Sequence, residues 1–187
     1  FQGPVRLIGA KIGADLLCSK GRFKSQLNAD RLETGGNVIL SGEATFEEDV
    51  RILGGRIHGS LYGTRSVFEK AIRCDGIEVE GDIFLREGAV IKGMLNLPGA
   101  RIGQDLHLWG ATFGGAVALA GAQIGGEIRL DETKLNFPHP SWGESAYINL
   151  QNARLRALQG SFAAWKSASG KFVPRDLDGL TFDRAGG

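Results

Sequence analysis

The chain has 187 residues, 42% of them hydrophobic, with 22 basic and 21 acidic side chains and a formal charge of +1. That length fits one domain of ordinary size, and no apolar run is long enough to span a bilayer. Near-neutral charge excludes a nucleic-acid binder held by phosphate contacts, and equally a strongly acidic DNA-mimicking rod.

Phe1–Pro4 (FQGP) reads as the remnant of a protease recognition site and is set aside from the fold. The native part is then expected to start at about Val5, in mid-repeat, with neither initiator Met nor signal peptide, as in a piece cut from a longer protein.

From there to Leu135 the chain is periodic. Between Gly99 and Leu130 three successive elevens read GARIGQDLHLW, GATFGGAVALA and GAQIGGEIRLD. Extending this frame fills a first apolar slot with Ile12, Phe23, Thr34, Phe46, Ile57, Phe68, Val79, Ile91, Ile102, Phe113, Ile124 and Leu135. The step is eleven except at Thr34 to Phe46 and Val79 to Ile91, where one residue is inserted. Two later slots, two residues apart, recur in each unit, for example Leu61/Gly63, Ile83/Leu85 and Leu106/Leu108. A spacing of two is the strand period, whereas a helix needs threes and fours sustained along the segment. Gly36, Gly59, Gly81, Gly93, Gly115 and Gly126 are expected at the corners, many in the left-handed region where a side chain costs energy.

A second signal doubles the period. Units opening on Ile12, Thr34, Ile57, Val79, Ile102 and Ile124 alternate with units that favour Phe (Phe23, Phe46, Phe68, Phe113), so like environments return every 22 residues or so. The predicted fold is all-β: a single-domain parallel β-helix, a solenoid with about 22 residues per coil built from two 11-residue units, closed by a C-terminal cap. Strand spacing makes roughly five and a half coils a rod near 26 Å long.

After Leu135 the pattern breaks. Residues 136–155 are read as a protruding loop (NFPHPSWGES) and a last half-coil, in which Ile148 and Leu150 regain the later slots and Leu155 begins another corner. Residues 156–187 are read as a cap or tail. Arg156–Ser169 has helix-compatible composition, and Leu158, Phe162 and Trp165 are expected to cover the open end of the β-helix, with Phe172, Leu177, Leu180 and Phe182 packed against it.

Inward columns form the core, so function must be sought outside. The outward slot of the Ile-type units reads Leu17, Ile39, Tyr62, Phe84, His107 and Arg129. Its apolar members, with His107 and the nearby Trp109, form an interaction stripe for a protein partner or for self-association, unless the C-terminal segment folds back over it. One place earlier lies a polar column, Asp15, Asn37, Ser60, Asp82, Asp105 and Glu127. Its carboxylates Asp82, Asp105 and Glu127 would stack within several ångström, as in polysaccharide-cleaving β-helices that hold calcium or catalyse with such ladders. The plainer reading is that these short side chains face water and pair with bases such as Arg101. Cys18 and Cys74 fall on different walls and levels, too far apart for a bridge, and read as buried thiols suited to a reducing compartment. His58, His107 and His139 have no metal-ligand spacing, and no phosphate-binding loop is present. No cofactor or metal is expected.

The repeated A-x-I-G-x-x-L-x-L units and the closing LDGLTFDR (Leu177–Arg184) together resemble the bacterial repeat proteins catalogued as membrane-associated oxidoreductases or pentapeptide-repeat-like proteins, in which a motif of this kind follows the array and precedes helical and membrane segments. The resemblance covers most of residues 9–184. It implies the repeat domain of a larger protein, cytoplasmic or at the cytoplasmic face of the bacterial membrane, reaching the membrane only through segments outside this sequence. The oxidoreductase label is not carried over, because the residues offer no dinucleotide fingerprint, redox Cys pair or flavin site. The short-strand coils also resemble bactofilins, without their flanking segments. The function expected is a non-enzymatic scaffold or protein-interaction domain. The alternatives are a carbohydrate-binding or carbohydrate-cleaving β-helix and a self-stacking, filament-forming rod.

Overall fold

A computed structural model describes residues 1–135, 148–160, 175–176 and 179–185. The described chain is a parallel β-solenoid of about six coils with no helix. Until the last coils the turns carry four two-residue strands each, which in the first complete turn are Lys11–Ile12, Leu16–Leu17, Arg22–Phe23 and Leu27–Asn28. Strands one coil apart pair in parallel, Arg56–Ile57 with Glu78–Val79 and Leu61–Tyr62 with Ile83–Phe84. The four strand positions therefore become four walls, named here first to fourth in that order.

Two-residue strands are short because each wall needs one inward and one outward side chain before the chain must turn. The inward residue supplies the core: Ile57, Val79, Ile102 and Ile124 from the first wall, Leu61, Ile83, Leu106 and Ile128 from the second, all buried. Inside the third wall Phe1, Phe23, Phe46 and Phe68 stack face to face, with ring centroids 4.7, 4.8 and 5.0 Å apart. That is the strand spacing, so the rings stack at the repeat the backbone imposes. Phe1, set aside in the sequence reading, thus lies 22 positions before Phe23 and continues its column, and its ammonium donates to the Arg22 carbonyl. Thr34, the polar member of the first-wall column, is buried and donates its hydroxyl to the Gly36 carbonyl, which answers its only hydroxyl hydrogen.

The corner glycines are explained differently from the sequence expectation. Gly36, Gly59, Gly81, Gly93, Gly115 and Gly126 are not among the residues with positive φ; left-handed backbone falls instead at the preceding turns, on Arg31 before Gly36 and on glycine before the other five, while further turns place it on Lys20, Arg65 or Glu132. What demands glycine at Gly36, Gly59, Gly81 and Gly126 is close stacking. A Cβ there would overlap the side-chain oxygen of Asp15, Asn37, Ser60 and Asp105, respectively, in the coil below.

The loop expected at Asn136–Ser145 lies outside the described residues; beyond it Ile148–Asn149 pairs in register with Val117–Ala118 on the fourth wall. In the last coil one residue is missing at the corner, since Arg154 pairs with Gln123 but Ala157 with Glu127. The first and second walls consequently merge in one six-residue strand, Arg154–Gln159. Its Arg156–Gln159 part, expected to begin a helical segment, is β-structure. Thr181–Ala185 adds a further parallel strand to it, and Arg175–Asp176 one to Ile148–Asn149. Leu158 and Leu180 are half-buried against the core, whereas Phe162, Trp165, Phe172 and Leu177 lie outside the described residues.

Cys18 and Cys74 are both free, the first half-buried and the second fully buried. Burial pushes both thiols up, and Asp75 and Asp30 add to the effect at Cys74. A disulfide-exchange reagent is expected to titrate Cys18 in the native protein and to reach Cys74 only after denaturant is added. Equal native rates for the two would contradict this burial.

Candidate functional site

The outer surface of the second wall carries most of the candidate residues. Leu17, Ile39, Tyr62, Phe84, His107 and Arg129 are consecutive register partners there, so the stripe exists as one column. Flat side chains stacked at strand spacing cover one another. Tyr62, Phe84 and His107 lie 4.8 and 4.7 Å apart in near-parallel planes. Only Leu17, in the first coil, is widely open at 67% exposure; Ile39, Tyr62 and Phe84 are half-buried and His107 is 9% exposed. The stripe is therefore less exposed than the sequence pattern implies, and it offers mainly ring edges. Trp109 sits beside it, and the Arg86 guanidinium lies over both rings, 4.6 Å from the Phe84 centroid and 5.2 Å from that of Trp109, a cation–π arrangement.

The polar column has a backbone role the sequence did not disclose. Asp15 Oδ1 accepts from the Asn37 N–H at 2.6 Å, Asn37 Oδ1 from Ser60, Ser60 Oγ from Asp82, Asp82 Oδ1 from Asp105 and Asp105 Oδ1 from Glu127. At each rung a side-chain oxygen supplies the acceptor that a corner N–H would otherwise lack. Asp, Asn and Ser serve alike because all that is needed is one short-stemmed oxygen.

Of the three carboxylates expected to cluster, Glu127 turns toward Arg156, at 4.0 Å. Asp82 and Asp105 instead approach His107, whose Nε2 lies 3.6 Å from Asp82 Oδ1 and 3.8 Å from Asp105 Oδ2. Burial lowers the His107 pKa, while Asp105 and Asp82 oppose that effect. Arg101, the base expected to serve the acidic column, pairs with Glu78 on the first wall.

That first wall holds a feature missed in the sequence. Its outward column reads Lys11, Glu33, Arg56, Glu78, Arg101, Gln123 and Arg154 in register. Charges of opposite sign thus meet across successive coils: Lys11 with Glu33 at 3.1 Å, and Glu78 with Arg56 at 3.0 Å and with Arg101 at 2.7 Å. A shallow groove of about 700 Å³ runs over this wall to Arg154 and Arg156. The signal was present as alternating signs at 22-residue steps, visible only once the strands lie side by side.

The bonds and charges of Arg56 and Arg101 hold the Glu78 carboxyl below its usual value. A carboxylate with a lowered folded-state pKa stabilises the protein above its unfolded pKa and loses that stabilisation as pH falls through the folded value. Urea unfolding of native protein and Glu78→Gln is expected to differ at neutral pH, with the native more stable, and to converge in acid. A difference that stays constant with pH would count against the charge ladder.

Comparison with family models, curated proteins and solved structures found no match for this chain.

Proposed function

We propose that this β-solenoid is a non-enzymatic scaffold that docks a protein partner on its second wall, through Leu17, Ile39, Tyr62 and Phe84, flanked by Trp109. The observation that carries the reading is an apolar and aromatic column running through successive coils outside the core, on a wall whose polar neighbours already serve the backbone. Stacked rings are held rigid before any partner arrives, which reduces the ordering cost of binding. Aromatic side chains are also the type that concentrates binding energy at interfaces.

The same reading places the chain among the bacterial repeat proteins whose array ends in a motif of the LDGLTFDR kind, at the cytoplasmic face of a membrane. Supporting this, the motif contributes the strand that pairs with Arg154–Gln159. Its Gly179 has φ +66° and packs over the Asn152 side chain, where a Cβ would overlap the amide oxygen. The motif is thus fitted to the end of the array it follows.

The test is the double variant Tyr62→Ser/Phe84→Ser, on the exposed side of the wall. Circular dichroism is expected to show it folded, while light scattering over a range of concentrations and co-purification from source cells show the native association lost. If a folded double variant keeps the same associations as the native protein, the docking reading fails.

A further inference from the structure

Asp82, Asp105 and His107 meet on the outer surface of the second wall with the geometry of an open metal site. Each offers one ligand atom, and these atoms lie within 4.8 Å of one another. The two Nε2–carboxylate separations, 3.6 and 3.8 Å, are too long for hydrogen bonds. Two bonds of about 2.0–2.2 Å meeting near the tetrahedral angle set their donor atoms roughly 3.3–3.6 Å apart, so the observed spacings suit two ligands of one such ion with little adjustment.

His107 is an independent pointer. The residue is nine-tenths buried, its Nδ1 has no hydrogen-bond partner among the described residues, and Nε2 faces the two carboxylates without bonding to either. An ion at Nε2 would give the ring a partner on the side facing Asp82 and Asp105, and the Phe84 ring beneath it, 4.7 Å away and 7° from parallel, holds that edge in place. The carboxylates are also oriented in advance, since Asp82 Oδ1 accepts from the Asp105 N–H at 3.0 Å and Asp105 Oδ1 from the Glu127 N–H at 2.8 Å. Hydrogen bonds that fix ligating carboxylates in this way are the usual support of metal sites.

We propose that Asp82, Asp105 and His107 bind a divalent ion of the zinc class, with solvent completing its coordination. A nitrogen donor with two oxygens suits zinc or cobalt; calcium wants six to eight oxygens, and magnesium keeps most of its water. Arg86 and Arg129 border the cluster and their charges oppose a cation, although Arg86 is drawn over the rings of Phe84 and Trp109. The site is therefore expected to bind its ion more weakly than a closed four-ligand structural site. The proposal does not depend on the docking reading.

The experiment uses the full chain without a histidine tag. Zinc is followed by calorimetry, and cobalt by its visible absorption, which is strong only in low-symmetry, four-coordinate sites. Asp82→Asn keeps an oxygen for the Asp105 N–H, and His107→Phe keeps the stack, so neither variant need lose the fold. The native chain is expected to bind one zinc ion, each variant to weaken binding at least about tenfold, and His58→Gln, altering the other described histidine, to leave it unchanged. The melting temperature of the native protein, but not of Asp82→Asn, should rise with zinc. Absence of binding at millimolar zinc, or binding equally tight in Asp82→Asn and His107→Phe, overturns the proposal.

Discussion

Phe46→Ala is expected to destabilise the protein by about 3–5 kcal/mol in urea unfolding, the cost of truncating a fully buried phenylalanine. Phe46 is 1% exposed and sandwiched at 4.8 Å from Phe23 and 5.0 Å from Phe68. Backbone pairing above and below fixes the strand spacing, so the neighbouring rings cannot close over the cavity. Total stabilities of about 5–15 kcal/mol make this a large fraction of the whole. Phe23→Ala should cost less, because on one side Phe23 stacks only against Phe1, which is 69% exposed in the end coil and can yield. In a solenoid each coil is supported only by its neighbours, so terminal losses are local. Equal costs at Phe23 and Phe46 would argue against a column that is rigid in its middle.

The second large effect is expected at Asp105. Asp105→Ala removes the acceptor of the Glu127 N–H and leaves a partly buried donor without a partner, which costs about 1–3 kcal/mol. Asp105→Asn keeps an oxygen in that place and should fall within about 0.5 kcal/mol of the native protein. The chain already contains this comparison: Asn37 and Ser60 occupy the same column and accept the same type of bond. If Asn and Ala prove equally damaging, the carboxylate charge, rather than the ladder, is what matters there.

Much of the fold was legible because the solenoid repeats its physical constraint. An inward column tolerates only apolar or self-satisfied residues, so Ile57, Val79 and Ile102 announce their equivalence, and the Phe alternation gives the coil its length. The outward columns were identifiable by position but not by role. Asp15, Asn37, Ser60 and Asp82 look like an unrelated polar mixture until the register sets each oxygen beneath the next N–H. The glycines were misread for the same reason, since what excludes a side chain at Gly126 is Asp105, a residue of another coil. Nor does a single sequence mark Lys20, Arg31 or Arg65 as left-handed, because their side chains point to water and the strain is absorbed by the turn. His107 belongs to the outward column expected to be exposed; it is covered because the Phe84 ring stacks on it at 4.7 Å, and spacing names these neighbours without showing that flat side chains at strand spacing cover one another. The strand at Arg154–Gln159 is hidden because a one-residue deletion at the corner breaks the eleven-residue frame just where Arg156–Ser169 takes on a helix-compatible composition.

The claim on which all of this rests is that positions one coil apart lie directly beside each other. In a background with Cys18 and Cys74 replaced by alanine, the most direct measurement is the oxidation of two engineered cysteine pairs on the fourth wall. Asn96 and Ala118 are register partners, at the adjacent-strand separation of about 4.8 Å, which lies within the Cα range a disulfide accepts. Arg73 and Ala118 stand two coils apart, because Asn96 lies between them, and at about twice that distance they are beyond reach. The account predicts that Asn96→Cys/Ala118→Cys closes readily under mild oxidant in the folded protein while Arg73→Cys/Ala118→Cys does not. Failure of the first pair to close, or equal closure of both, would contradict it.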